Sequence, residues 1–202
     1  MKKKYILLLM LLLIIIISIC LIYRNNNKED TDIKVKYPIY EYYKLNKVIT
    51  ENINYYLKDN TDNYYFLYID YKDYEYKEYI SIVLYISYFT GGAHPNYEIK
   101  TINYNKSSNK FIDIDDLINR DKDILNKLSI YSREYFSNND MFNDKVVFDM
   151  MIDGTKSIKD NYKYFNITSD GLIIYFNRYQ IAPYYYGDYS ITIPYNYLDL
   201  SI

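Results

Sequence analysis

The sequence predicts an α+β fold: a largely antiparallel sheet with helices packed on it, preceded by one N-terminal transmembrane helix. Three observations carry that expectation. An uncharged apolar run, Tyr5 to Tyr23, follows MKKK. Beyond it, apolar residues recur at helical spacing in some segments and alternate with period two in others. The two kinds of segment are segregated, not arranged as repeating βαβ units, which favours an antiparallel sheet.

The N-terminal run comes first. At a rise of roughly 1.5 Å per residue it is long enough to cross a bilayer core of about 30 Å. No A-x-A cleavage pattern follows it. Three lysines ahead of it would hold that end in the cytoplasm and leave the bulk of the chain outside. The alternative is a lipoprotein anchored at Cys20, although Ile19 is bulky where a small residue is normally wanted. Both readings tether an extracytoplasmic domain to a membrane. The expected organisation is an anchor at 1–24, a polar stalk at 25–36 and an ectodomain at 37–202. Beyond Arg24 there remain 20 basic and 26 acidic residues, a net charge of −6. That balance argues against nucleic acid and favours basic partners. The single cysteine forbids a disulfide within the chain. The 31 tyrosines have two readings, a coding bias or a surface built for ring stacking, and composition does not separate them.

Within the ectodomain, Leu45, Val48, Ile49, Ile53, Tyr56 and Leu57 have helical spacing and predict a helix over 40–58. Asn63 to Ile69 opens a strand, and polar Asp73 to Lys77 reads as a turn. From Glu78 to Phe89, Ile80, Ile82, Leu84, Ile86 and Tyr88 share one face, while Ser81, Val83, Tyr85, Ser87 and Phe89 share the other. Such a strand belongs at the centre of a sheet. Another follows at about 97–104, a turn at 105–109 and a short return at 110–112. Asp113 and Asp115 ahead of Leu117 and Ile118 are helix-start chemistry. Asp121 to Phe136 predicts a helix with Ile124, Leu125, Leu128, Tyr131 and Tyr135 on its buried stripe, and a weaker helix covers 145–152. Phe165–Thr168 and Leu172–Phe176 flank Ser169-Asp170-Gly171, a hairpin signal. A last strand, Tyr189 to Ile193, is stopped by Pro194. Asn105-Lys-Ser and Asn166-Ile-Thr match the glycosylation sequon.

Chemistry-bearing residues are sparse. The lone histidine, His94, has no G-x-S-x-G serine, no thiol outside the apolar run and no second histidine for a zinc set. Asp113, Asp115 and Asp116 do not complete a calcium loop, because Leu117 stands where it requires glycine. Breakers are concentrated instead. Of nine Gly and Pro residues, Gly91, Gly92 and Pro95 lie in one segment and Pro183, Gly187 and Pro194 in another. Two structural corners, or two exposed loops that meet a ligand, explain the clustering, and both can hold at once.

Those segments carry a resemblance. Thr90-Gly91-Gly92-Ala93-His94, after a long alternating strand, resembles the T-G-G-A-H signature of the RsiV/PdaC-type extracytoplasmic domains. Tyr179-x-Ile181-Ala182-Pro183-Tyr184, then Gly187 and Ile193-Pro194, is similar to their closing signature. Phe111-x-Asp113-x-Asp115-Asp116-Leu117-Ile118 and Gly171-Leu-Ile-Ile-Tyr-Phe176 resemble two motifs between them. The resemblance covers roughly 37–198. It implies a domain that, in that family, is the outer part of a membrane-anchored anti-sigma factor that binds lysozyme, or a non-catalytic companion of a peptidoglycan deacetylase domain. With four residues ahead of the apolar run and nothing deacetylase-like after Pro194, neither sigma-factor signalling nor deacetylation is expected here.

The function expected is a non-catalytic cell-envelope binding module that needs no cofactor or metal and takes a lysozyme-like protein as partner. A module for peptidoglycan or another polysaccharide, and an envelope hydrolase using His94 and carboxylates, are the alternatives. The expected contact residues are Thr90, Gly91, Gly92, Ala93 and His94 from one loop, and Tyr179, Ile181, Ala182, Pro183, Tyr184 and Gly187 from the other.

Overall fold

The computed structural model describes residues 13, 15–18, 31–58 and 64–200. The expected span Tyr5–Tyr23 is therefore described at a few positions only, and Cys20 and the stalk up to residue 30 lie outside the described residues. Among the described residues, no helix is long and apolar enough to cross a membrane.

The strand expected at the centre is central. β3 (Tyr79–Phe89) lies antiparallel between β2 (Phe66–Tyr76) and β4 (Asn96–Asn105). β1 (Asp32–Val35) pairs parallel with β2 at one edge, and β5 (Lys110–Phe111) pairs with β4 at the other. Helix α1 (Tyr43–Leu57) covers one face of this sheet. Its Leu45, Ile49, Ile53 and Tyr56 pack on Leu67 and Ile69 of β2, Ile80, Ile82, Leu84 and Ile86 of β3, and Ile102 and Tyr104 of β4. Each such aliphatic side chain gains roughly 1.5–3 kcal/mol on burial, so the period-two pattern of β3 holds this layer in register.

The opposite face of β3 is covered along half its length by a second sheet. This sheet has β6 (Phe165–Ile167), β7 (Leu172–Phe176) and β8 (Tyr189–Ile193) in order. Val83, Ile99 and Tyr175 form the apolar contact between the sheets. Polar contacts flank it, because β6 has a free edge whose buried backbone groups need partners. The Asn103 Nδ2 donates to Phe165 O at 2.9 Å, the Ile167 N–H to Ser81 Oγ at 3.1 Å, and the Phe165 N–H to Thr101 Oγ1 at 3.3 Å. Asn166 Nδ2 donates to Ile82 O at 3.1 Å. Asn166 is fully buried, so its sequon presents no acceptor at the surface of the folded domain.

The far face of the small sheet carries the helices α2 (Ile114–Arg120), α3 (Ile124–Ser137), α4 (Lys145–Gly154), α5 (Lys159–Tyr162) and α6 (Tyr195–Leu198). Leu172, Ile174 and Phe176 of β7 meet Leu117, Leu128, Phe136, Met151 and Tyr162 there. α2 starts as expected: Asp113 accepts from the Asp115 and Asp116 N–H groups, and Asp116 accepts from the Asp113 N–H, a capping box. Asp144 caps α4 likewise through Val146 and Val147.

The fold class is α+β with mostly antiparallel pairing, as expected. Four local expectations need correction. Asp73 to Lys77 is not a turn; β2 runs on to Tyr76 and the reversal takes only Lys77 and Glu78, with Lys77 at φ 51°. The end of the expected stalk, Asp32–Val35, is a strand. α1 begins at Tyr43, not Tyr40, because Asn46 binds Tyr40 through both its N–H and its carbonyl. On α3 the buried stripe runs through Ile124, Leu128, Ser132 and Phe136, and Tyr135 faces solvent.

Candidate functional site

The loop between β3 and β4 reverses the chain at Gly91 and Gly92, with φ of 98° and 112°. Residues with a Cβ rarely adopt such values. The turn presents Thr90, Ala93 and His94 to solvent. The second segment leaves β7 at Asn177, passes through Tyr179 at φ 65° and a 3-10 turn at Tyr184–Tyr186, and returns into β8. It is tied down at both levels. Asn177 Oδ1 accepts from the Ile99 N–H at 3.1 Å, and Gln180 Nε2 donates to Gly154 O at 3.1 Å and to Asn161 O at 3.0 Å.

The two segments meet. The His94 ring stacks on Tyr184 with centroids 3.9 Å apart and planes 24° apart. Tyr184 OH donates to Pro95 O at 2.7 Å. His94 Nδ1 lies 3.0 Å from that same carbonyl. A carbonyl only accepts, so Nδ1 is the donor there, and Nε2 lies 3.4 Å from Tyr179 OH. Tyr179 also lies 5.6 Å from Tyr184, ring to ring. The result is a ledge of rings: Tyr179 is exposed and His94 is on the surface. The neighbours of His94 are rings and one backbone carbonyl. Among the described residues, no carboxylate and no serine or threonine hydroxyl is hydrogen-bonded to it.

Not every expected contact residue reaches that surface. Ile181 and Ala182 are 1% and 2% exposed and pack in the core beneath the small sheet. They anchor the loop and are not contact residues. Pro183 and Gly187 are half-buried beside the ledge.

Two residues that the sequence reading did not single out complete the site. Arg178 places its guanidinium carbon 3.6 Å from the Tyr97 ring centroid and 4.5 Å from that of Tyr184. Each such contact is worth about 0.5–2 kcal/mol. Beside this clamp lies an open groove of about 290 Å³, on the half of the β2–β4 face that the small sheet leaves bare. Tyr68, Asp70, Tyr85, Ser87, Tyr97, Arg178 and Asp188 line it. Burial pushes the Tyr85 hydroxyl above its ordinary pKa, so it stays a neutral donor. The one signal that could have found Arg178 is its type: the chain has only four arginines among its 24 basic residues. In so lysine-rich a chain, arginine marks places where a planar, forked cation is needed. Among the described residues, no group of three or more His, Cys, Asp or Glu is placed to hold a metal ion.

Residues 115–196 match the family described as "Protein of unknown function (DUF3298)", so a DUF3298 domain is present there. It includes the second loop of the ledge and not the first. The peptidoglycan-N-acetylmuramic acid deacetylase PdaC of Bacillus subtilis (strain 168) is 37% identical over 127 residues. That match takes in 62% of this chain and 27% of PdaC, so the chain spans about a quarter of that relative. Among solved structures, a DUF3298 family protein from Pseudomonas aeruginosa PAO1 superposes with a TM-score of 0.65 at 18% identity, over 84% of this chain and 83% of that one. The fold is shared.

Proposed function

We propose that this chain is a non-catalytic binding module on the outer side of a bacterial membrane, and that the ring ledge and its groove are its contact surface for peptidoglycan. The observation that carries the reading is the His94–Tyr184 stack. It joins two distant, breaker-rich segments into one exposed surface instead of sealing each in the interior. Flat rings beside a polar groove suit sugars, whose C–H faces lie on aromatic planes while hydroxyls bond to the rim. The likeness to an enzyme named for peptidoglycan supports the same partner. Membrane attachment through the Tyr5–Tyr23 run, or through lipid at Cys20, is part of the proposal. Leu13, Ile15, Ile16 and Ile17, each about half exposed, are compatible with it.

One observation favours a second partner. The net charge of −6 beyond Arg24 complements a basic protein such as lysozyme, an attraction that weakens as salt rises. Co-sedimentation with purified sacculi, beside a lysozyme-binding assay at low salt, separates the two. Retention on sacculi that falls in a Tyr184→Ala variant supports the first; lysozyme binding without retention supports the second. Neither interaction would remove the proposal.

A further inference from the structure

The groove contains a cation without a hydrogen-bonded counterpart. Of the arginines among the described residues, Arg120 donates to Tyr79 OH at 3.1 Å, and Arg133 donates to Thr155 Oγ1 and Ile152 O at 3.1 and 3.0 Å. The guanidinium of Arg178 makes no hydrogen bond among those residues. Its Nε, buried, forms an ion pair with Asp188 Oδ2 at 3.6 Å, beyond hydrogen-bond range, and has no hydrogen-bond partner among the described residues. Asp188 instead uses its other oxygen to accept from the Arg178 backbone N–H at 3.1 Å. The side chain is 20% exposed, and a guanidinium so largely covered ordinarily satisfies its fork. Here its central carbon lies over the rings of both Tyr97 and Tyr184, and its side chain lines the groove. Rings that fix orientation, with donors left open, make a receptor organised before its ligand arrives.

We infer that Arg178 is an anion-recognising residue, and that the ligand of this groove is a saccharide carrying a carboxylate. The inference rests on the peptidoglycan reading above and names the chemistry of that partner. A carboxylate matches the two parallel N–H donors of a guanidinium. Tyr85 and Tyr97 offer faces and hydroxyls to the sugar. Asp70 and Asp188, which also line the groove, repel a free anion. They disfavour small diffusing anions and leave an advantage to one delivered on a glycan that the rings also hold.

The test uses two probes on the full chain in detergent: the N-acetylglucosaminyl–N-acetylmuramic acid disaccharide, and the same disaccharide with its lactyl carboxylate reduced to the alcohol. The wild-type chain is expected to bind the first about tenfold more tightly, the scale of one charge-assisted pair. Arg178→Gln is expected to bind both alike, at the weaker affinity. Arg178→Lys, which keeps charge without the fork, should recover only part of the preference. Equal affinity of the wild-type chain for both probes, or a preference that survives Arg178→Gln, overturns the inference and leaves the peptidoglycan reading standing. No binding of either probe, together with no retention on sacculi, overturns both.

Discussion

Replacing Gly154 by alanine tests how the ledge is held in place. Gly154 is the last residue of α4, and its place there is a matter of space. A Cβ built on it would lie 1.9 Å from Gln180 O, 2.6 Å from Gln180 C and 2.9 Å from Ile181 Cγ2. Two of these neighbours are backbone and cannot rotate away. Restoring ordinary contact requires the loop to retreat by about 1.3 Å in a close-packed region. Overpacking of this kind costs typically about 1–3 kcal/mol. The retreat also strains the Gln180 Nε2 bonds to Gly154 O and Asn161 O, each worth about 1 kcal/mol. Against this, alanine is a better helix former by at most about 1 kcal/mol, and less at a helix end. The packing term wins. The expected loss is about 2 kcal/mol, or roughly 4–8 °C in Tm for a domain of this size. Thermal unfolding followed by circular dichroism reads it directly, with Val146→Ala as the control on an exposed position of the same helix. A Tm for Gly154→Ala equal to or above wild type would refute the reasoning. Because Gln180 lies between Tyr179 and Ile181, the variant should also bind sacculi more weakly at temperatures where it remains folded.

Other outcomes follow from the same contacts. Asn166→Leu removes the donor to Ile82 O and the acceptor of Tyr175 OH, at 3.1 and 3.0 Å. Stranding those buried groups should cost about 2–4 kcal/mol in chemical denaturation. Tyr184→Phe keeps the stack on His94 and loses only the bond to Pro95 O, so retention on sacculi should fall by about a factor of five. Tyr184→Ala loses both and should fall further without a matching drop in Tm. Alkaline stability has a defined sign. Burial pushes Tyr162 up to about 12, so the folded state binds its proton more tightly than the unfolded chain does. That contribution is fully present below the ordinary tyrosine pKa of about 10 and is lost as pH rises from there through 12. Tyrosinate absorbance and unfolding should therefore rise together in that window. Stability independent of pH between 10 and 12 would count against the burial of Tyr162.

The parts of this fold governed by local chemistry were readable from the residues, and the parts governed by distant neighbours were not. β3 shows its two faces in the alternation of Ile80 to Phe89, and Asp113 and Gly171 mark their helix start and hairpin by side-chain type alone. The polar Asp73 and Glu75 look like loop residues because their own side chains reach solvent, while the residues next to them, Tyr74 and Tyr76, pack on the side of the small sheet. Four residues of β1 carry too little pattern to declare a parallel pairing with a strand more than thirty positions away. At the site, the clustering of rare breakers located both loops, and their meeting became visible only in the packing of His94 on Tyr184. Ile181 and Ala182 share a segment with the exposed rings and face the opposite way, an orientation that no spacing within YQIAPYYYG reveals. Arg178 was hidden for a related reason. Its importance comes from Tyr97, a neighbour across the sheet, and from the absence of a hydrogen-bonded counterion.

The most direct test of the account is hydrogen exchange of the chain with and without soluble peptidoglycan fragments. Slower exchange in both 90–97 and 178–187, concentrated there and abolished together by Tyr184→Ala, is the predicted result. Protection confined to one of those segments, or located on α3 and α4 instead, would contradict the claim that the two bends act as a single surface.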